Sequence, residues 1–71
     1  MDGKFRQGKN EYEWWAGRAS YMANTRYCVH CFRDDHGATL YMDEEPDEDL
    51  AEQTAQKLVP TVDQMGGIRT D

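Results

Sequence analysis

The sequence predicts a small α+β domain in which a β-hairpin packs with two helices. Three observations predict this class. Strand-forming residues flank a turn signal between positions 25 and 42, apolar residues recur at helical spacing over 10–23, and a second helical pattern at about 47–59 follows an acidic lead-in. With 71 residues the chain forms one domain at most, and a domain this short often needs a staple or a partner to be stable.

The first predicted helix covers residues 10–23. Asn10 and Glu13 have the spacing of a capping box, in which each side chain satisfies a backbone amide of the first turn. An apolar stripe at helical intervals follows, made of Tyr12, Trp15, Ala16, Ala19, Met22 and Ala23. Gly17 and the aromatic residues favour the alternative, a strand pair around a turn at residues 16–18.

The most distinctive stretch runs from 27 to 42 and is predicted to be a β-hairpin. Its strands lie at about 25–33 and 38–42, and the turn at 34–37 ends in Gly37, which suits a positive φ. Side chains alternate along a strand. One face of the first strand therefore carries Cys28, His30 and Phe32, and the other carries Tyr27, Val29, Cys31 and Arg33.

The second predicted helix lies at about 47–59, after an acidic lead-in. Pro46 and the carboxylates that follow it suit a helix N-terminus, and a narrow apolar stripe contains Leu50, Ala51, Thr54, Ala55 and Leu58. Pro60 is expected to end this helix, which leaves 60–71 as a short turn and loose tail. At the other end, residues 1–9 are expected to be a flexible arm or a third, edge strand, so residues 10–59 make up the domain.

Charge is distributed unevenly along the chain, whose formal net charge is −6. Residues 1–33 contain six basic and three acidic side chains, whereas residues 34–71 contain two basic and eleven acidic ones. Seven carboxylates fall within ten residues and are called the carboxylate cluster: Asp43, Glu44, Glu45, Asp47, Glu48, Asp49 and Glu52. Such a cluster predicts a protein partner with a basic surface, and it disfavours direct binding to nucleic acid.

Cys28, Cys31 and His36 have the spacing Cys-x2-Cys-x4-His, which suits a zinc ion because zinc prefers thiolate and imidazole ligands. This spacing resembles the zinc knuckle of retroviral nucleocapsid proteins over 14 of the 71 residues. Tyr41 stands where the knuckle has its last cysteine, and Phe32 stands where it usually has glycine. The resemblance implies a bound zinc ion and binding to single-stranded nucleic acid. The alternative is two buried cysteines acting as small hydrophobic side chains.

These observations favour a non-catalytic binding protein. The cysteines and histidines lie too close in sequence to indicate a catalytic pair, so we expect no enzymatic activity and no cofactor. Small acidic proteins of this size are common among the inhibitors of phages and mobile elements. By that analogy the carboxylate cluster would mimic nucleic acid and occupy a basic surface of a host protein, anchored by an exposed aromatic from the pair Trp14 and Trp15.

Two alternatives to this function remain open from the sequence. One is a small zinc module that uses the two cysteines and His36, and the other is self-association of the basic half of one chain with the acidic half of the next. The chain has no apolar run long enough for a membrane span and no apolar leader near its first residues. We therefore expect a cytoplasmic monomer or homodimer with no membrane partner.

Overall fold

The structure is a computed structural model that describes the backbone of residues 1–21 and 24–68. It shows an α+β domain, as predicted, with a four-stranded antiparallel sheet followed by a bent C-terminal helix. The elements are β1 (Asp2–Gln7), β2 (Asn10–Tyr21), β3 (Asn24–Arg33), β4 (His36–Met42), α1 (Glu48–Lys57) and α2 (Val59–Ile68). The strands lie in sequence order, so β1 and β4 are the edges of the sheet.

The helix predicted at 10–23 is wrong, because this segment forms strand β2 through Tyr21; positions 22 and 23 lie outside the described residues. Its burial alternates with the period of a strand: Tyr12, Trp14 and Ala16 are buried, and the residues between them are exposed. The alternative turn at 16–18 is also wrong, since β2 pairs with β3 without interruption from Glu13 to Tyr21.

The predicted hairpin is present as β3 and β4, and its turn is tighter than the sequence predicts. Two residues, Asp34 and Asp35, connect the strands, and the positive φ of 56° belongs to Asp34. Gly37 lies inside β4, paired with Phe32. The N-terminal segment forms edge strand β1, joined to β2 by a turn in which Gly8 has a φ of 63°.

Helices α1 and α2 cover one face of the sheet, called here the covered face. The core between these layers consists of Tyr12, Trp14, Ala16, Val29, Cys31, Ala38, Ala51, Ala55, Val59 and Val62. The opposite face, called the open face, carries the alternate residues of each strand, and the described part of the chain places no helix over it. Among the described residues no helix is long and apolar enough to cross a membrane.

The acidic helix starts and ends close to its predicted bounds. Asp47 is the N-cap of α1, and its side chain accepts a hydrogen bond from the backbone amide of Leu50 at 2.7 Å. Leu58 closes α1, and α2 begins at once with Pro60 in its first turn. The loose tail predicted for 60–71 is therefore helical as far as residue 68, and residues 69–71 lie outside the described chain.

A polar contact attaches α2 to the sheet. The Tyr12 hydroxyl donates to Asp63 Oδ1 at 2.9 Å, and Arg33 Nη2 lies 3.1 Å from the same oxygen. The hydrogen bond to Asp63 raises the pKa of the Arg33 guanidinium above its ordinary value. Asp63 thus joins two strands to the last helix at one point.

Candidate partner-binding surfaces

The carboxylate cluster lies at the end of β4, in the lead-in to α1 and on the first two turns of that helix. Asp47 caps the helix, Glu48 and Asp49 lie in its first turn, and Glu52 lies one turn further on. Anionic side chains are stabilised there by the positive end of the helix dipole. The fold therefore concentrates the cluster on one rigid element and its connecting segment.

Most of this negative charge has no cation beside it. Asp43 pairs with Arg26 Nη2 at 3.1 Å, while its own side chain remains 95% exposed. Within the described ranges, the other six carboxylates of the cluster form no ion pair, and five of them belong to exposed residues. An uncompensated carboxylate surface projects a field that attracts positive charge from a distance.

Leu50 lies among the residues of the carboxylate cluster, and its exposure differs from what its spacing predicts. It is 44% exposed, although its spacing assigned it to the apolar stripe of α1. The sheet instead contacts the small residues Ala51, Thr54 and Ala55. Side-chain size is the sequence signal for the exposure of Leu50. Ala51 and Ala55 lie one turn apart on the side of α1 that packs on the sheet, and the larger Leu50 lies outside this contact. Leu50 therefore offers one apolar contact among the carboxylates.

The two tryptophans of the candidate site have different surroundings. Trp14 is 1% exposed and belongs to the core, so it cannot contact a partner. Trp15 is 40% exposed and lies on the open face. The prediction that one of the pair is exposed is confirmed, yet Trp15 and α1 lie on opposite sides of the sheet. The cluster and the exposed tryptophan are therefore two separate surfaces.

The candidate zinc ligands do not converge within one chain. Cys28 lies on the open face and Cys31 on the covered face, both on β3, and His36 has its Nδ1 atom 3.2 Å from Asp35 Oδ1. Among the described residues there is no group of three His, Cys, Asp or Glu side chains suited to a metal ion. A tetrahedral zinc site needs its ligands on one side, so the spacing Cys-x2-Cys-x4-His does not assemble one here.

Burial also controls the chemistry of the two free thiols. It raises the pKa of Cys28, and burial together with the nearby charge of Asp63 raises the pKa of Cys31 to about 11. A thiol with a raised pKa remains protonated at neutral pH, and the thiolate is the nucleophile and the metal ligand. These surroundings favour a packing role for both cysteines.

The raised pKa of Cys31 predicts a loss of stability at alkaline pH. Because the folded pKa of about 11 exceeds the ordinary value of 9.0, the contribution of this thiol is complete below pH 9 and is lost as the pH rises toward 11. The loss should be about 2 kcal/mol. Urea unfolding of the native chain and of Cys31→Ala across this range measures it. The difference between them should shrink as pH rises, and a constant difference would contradict the prediction.

Comparisons with protein-family models, with characterised proteins and with solved structures find no match to this chain.

Proposed function

We propose that this chain is a non-catalytic binding protein, an acidic inhibitor that occupies a basic surface of another protein. The observation that carries the proposal is the set of unpaired carboxylates around exposed Leu50 on a helix packed firmly against the sheet. The carboxylates attract and orient the partner, and Leu50 supplies apolar contact that excludes water. Both act without any chemical step.

Electrostatic attraction accounts for the first stage of binding. The net charge is −6, and residues 44–71 supply all of it, with eight acidic and two basic side chains. Opposite charges speed the encounter of two proteins and set their orientation, and salt weakens both effects. Association should therefore be fast at low ionic strength and should slow steeply as salt is added.

The density of carboxylates favours a nucleic-acid-binding surface as the target. Seven carboxylates within ten residues present a row of anions, which resembles the regular charge of a phosphate backbone. A groove lined with lysine and arginine would accept such a row in place of nucleic acid. The chain then acts as a nucleic-acid mimic and does not itself bind nucleic acid.

A phage-type origin and a cytoplasmic setting belong to the same proposal. The support for them is the small size, the acidity and the two free thiols, since free thiols are typical of a reducing compartment. The partner is then a basic host protein of that compartment.

Charge reversal tests the proposal. Affinity capture from a host lysate at low salt, followed by mass spectrometry, identifies the partner. The triple variant Glu45→Lys, Glu48→Lys and Glu52→Lys should then bind that partner roughly 100-fold more weakly, because each lost pair contributes about 1 kcal/mol. Titration calorimetry at two salt concentrations measures the change, and the salt dependence should also decrease.

A matched control separates the cluster from net charge alone. The triple variant Glu11→Lys, Glu13→Lys and Asp35→Lys changes the charge by the same amount, but at exposed positions in the sheet layer. It should retain most of the affinity. Equal weakening by both triple variants, or no weakening by the first, would end the proposal.

A further inference from the structure

The open face of the sheet is a second surface, on the side of the sheet opposite α1 and its carboxylates. Its central residues are aromatic or small, and none carries a formal charge with histidine neutral: Trp15, Gly17, Ala19, Cys28, His30, Phe32, Gly37, Thr39 and Tyr41. A depression of about 290 Å³ lies among six of them. Four rings on an uncovered sheet are unusual for a face that has only water as its neighbour.

Trp15 is the most exposed of the four rings, and the other three are partly exposed. A Cβ atom added at Gly17 would be 2.8 Å from Cζ2 of Trp15, which shows that the indole covers this glycine. The His30 ring covers Gly37 in the same way, at 3.0 Å, and stacks on Phe32 with ring centroids 5.2 Å apart. The two glycines thus let the Trp15 and His30 rings pack close to the backbone of the sheet.

Charge on this face is confined to its margin, where both signs occur. In the register of β1 and β2, Lys4 lies opposite Glu13, Arg6 lies opposite Glu11, and Asp2 lies opposite Trp15. Arg26 lies near the start of β3, opposite Ala19, and contacts Asp43 and the ring of Tyr41. A surface that tracks single-stranded nucleic acid needs an excess of cations beside its rings. An uncharged aromatic centre with a mixed polar rim is instead typical of an interface between proteins.

We propose that the open face binds the open face of a second copy, so that the protein is a symmetric homodimer. A two-fold axis brings the same patch of each copy together, and an uncharged centre can meet itself without repulsion. The rim of the open face carries side chains of both charges. A second copy can therefore place its basic side chains against the acidic ones of the first copy. No other partner needs to be assumed to explain why this face is apolar.

The area of the open face is close to the smallest area that stable protein interfaces bury per partner. Strands of six to twelve residues, spaced about 4.8 Å apart with a rise of about 3.3 Å per residue, give the whole face, including its charged rim, a planar area of roughly 550 Å². Stable interfaces begin at about 600 Å² per partner. The dimer should therefore be reversible, with association in the micromolar range. Its two sheets would pack about 10 Å apart.

The dimer leaves the carboxylate cluster available, because α1 lies on the other side of each sheet. The two clusters would then point outward from opposite sides of the assembly. The proposal therefore does not depend on the inhibitor function. A variant that abolishes dimerisation can retain binding to a basic partner, and a variant without the cluster can still dimerise.

Analytical ultracentrifugation of the full chain tests the proposal. From about 1 µM to about 1 mM, the native chain should shift from its mass of 8.3 kDa to twice that value. Trp15→Arg should weaken dimerisation on the order of 100-fold, because both copies lose a central aromatic anchor. Ala19→Glu, which keeps Trp15 and adds a charge beside it, should do the same. Circular dichroism confirms that each variant folds.

Two matched controls change exposed leucines outside the open face. Leu40 is 45% exposed on the covered side of the edge strand, and Leu50 is 44% exposed on α1. Leu40→Arg and Leu50→Arg should dimerise as the native chain does. Loss of the dimer in Leu40→Arg would show that strand β4 pairs edge to edge, and it would overturn the proposal.

Salt and nucleic acid provide the remaining tests. A dimer held by an uncharged centre should persist when salt is raised from about 0.1 M to about 1 M. Dissociation over that range would indicate the charge-driven association of acidic and basic halves instead. A chain that remains monomeric throughout, or that binds a labelled single-stranded oligonucleotide through Trp15, would also overturn the proposal.

Discussion

Replacing Trp14 with alanine should lower the free energy of unfolding by about 3–5 kcal/mol. Trp14 is 1% exposed and is the largest fully buried side chain among the described residues. Its indole also lies against edge strand β1, since a Cβ atom added at Gly3 would be 2.8 Å from Nε1. A domain of this length has a total stability of about 4–10 kcal/mol, so the variant should lose about half of it and unfold at a much lower urea concentration than the native chain.

Trp15→Ala is the matched control for this change. It removes the same side chain one position along the same strand, where 40% of the residue is exposed. Its cost should be about 1 kcal/mol in urea unfolding followed by circular dichroism, at a concentration that keeps the chain monomeric. Similar losses for the two variants would mean that both rings are equally buried, and that β2 does not have the orientation described.

Strand β2 shows where sequence reasoning fails in a domain this small. The apolar stripe that suggests a helix uses Trp15, and the strand pattern uses Trp14, so two adjacent tryptophans satisfy both periods. The segment forms a strand and not a helix because it hydrogen-bonds to a strand on each side, β1 and β3. Tertiary pairing overrides a local capping pattern of this kind.

The hairpin and the acidic helix were predictable because their signals are local. Two strand-forming segments with a polar turn between them predict β3 and β4, and Asp47 with the acidic residues after it predicts the start of α1. The turn itself was not predictable in detail, since Asp34 takes the positive φ that glycine usually takes. Aspartate tolerates this conformation better than most residues.

The candidate site was only partly predictable for a related reason. The composition alone identifies the carboxylate cluster, whereas the surface on which each aromatic lies depends on which sheet face the helices cover. In the folded chain Ala51 and Ala55 of α1 share a core with Trp14, so the helices cover the face that carries Trp14. Trp15 and Leu50 then become exposed on opposite sides of the molecule.

Replacing Ala55 with aspartate should cost about 3 kcal/mol or more in the free energy of unfolding. Ala55 is fully buried where α1 meets the sheet, and the new carboxylate would lie among the apolar side chains of the core. The loss should be smaller at about pH 4 than at pH 7, because burial raises the pKa of a carboxyl and favours its neutral form. Urea unfolding at both pH values measures the effect.

Gln56→Asp provides the control, at the next position of the same helix. Gln56 is exposed, so aspartate there changes helix propensity and net charge by similar amounts without burying a charge, and its cost should stay below about 1 kcal/mol. Because α1 carries the carboxylate cluster, Ala55→Asp should also weaken binding to a basic partner, while Gln56→Asp should not. Equal stability of the two variants would show that α1 does not pack on the sheet through Ala55, and the rigid presentation of the cluster would then have no structural basis.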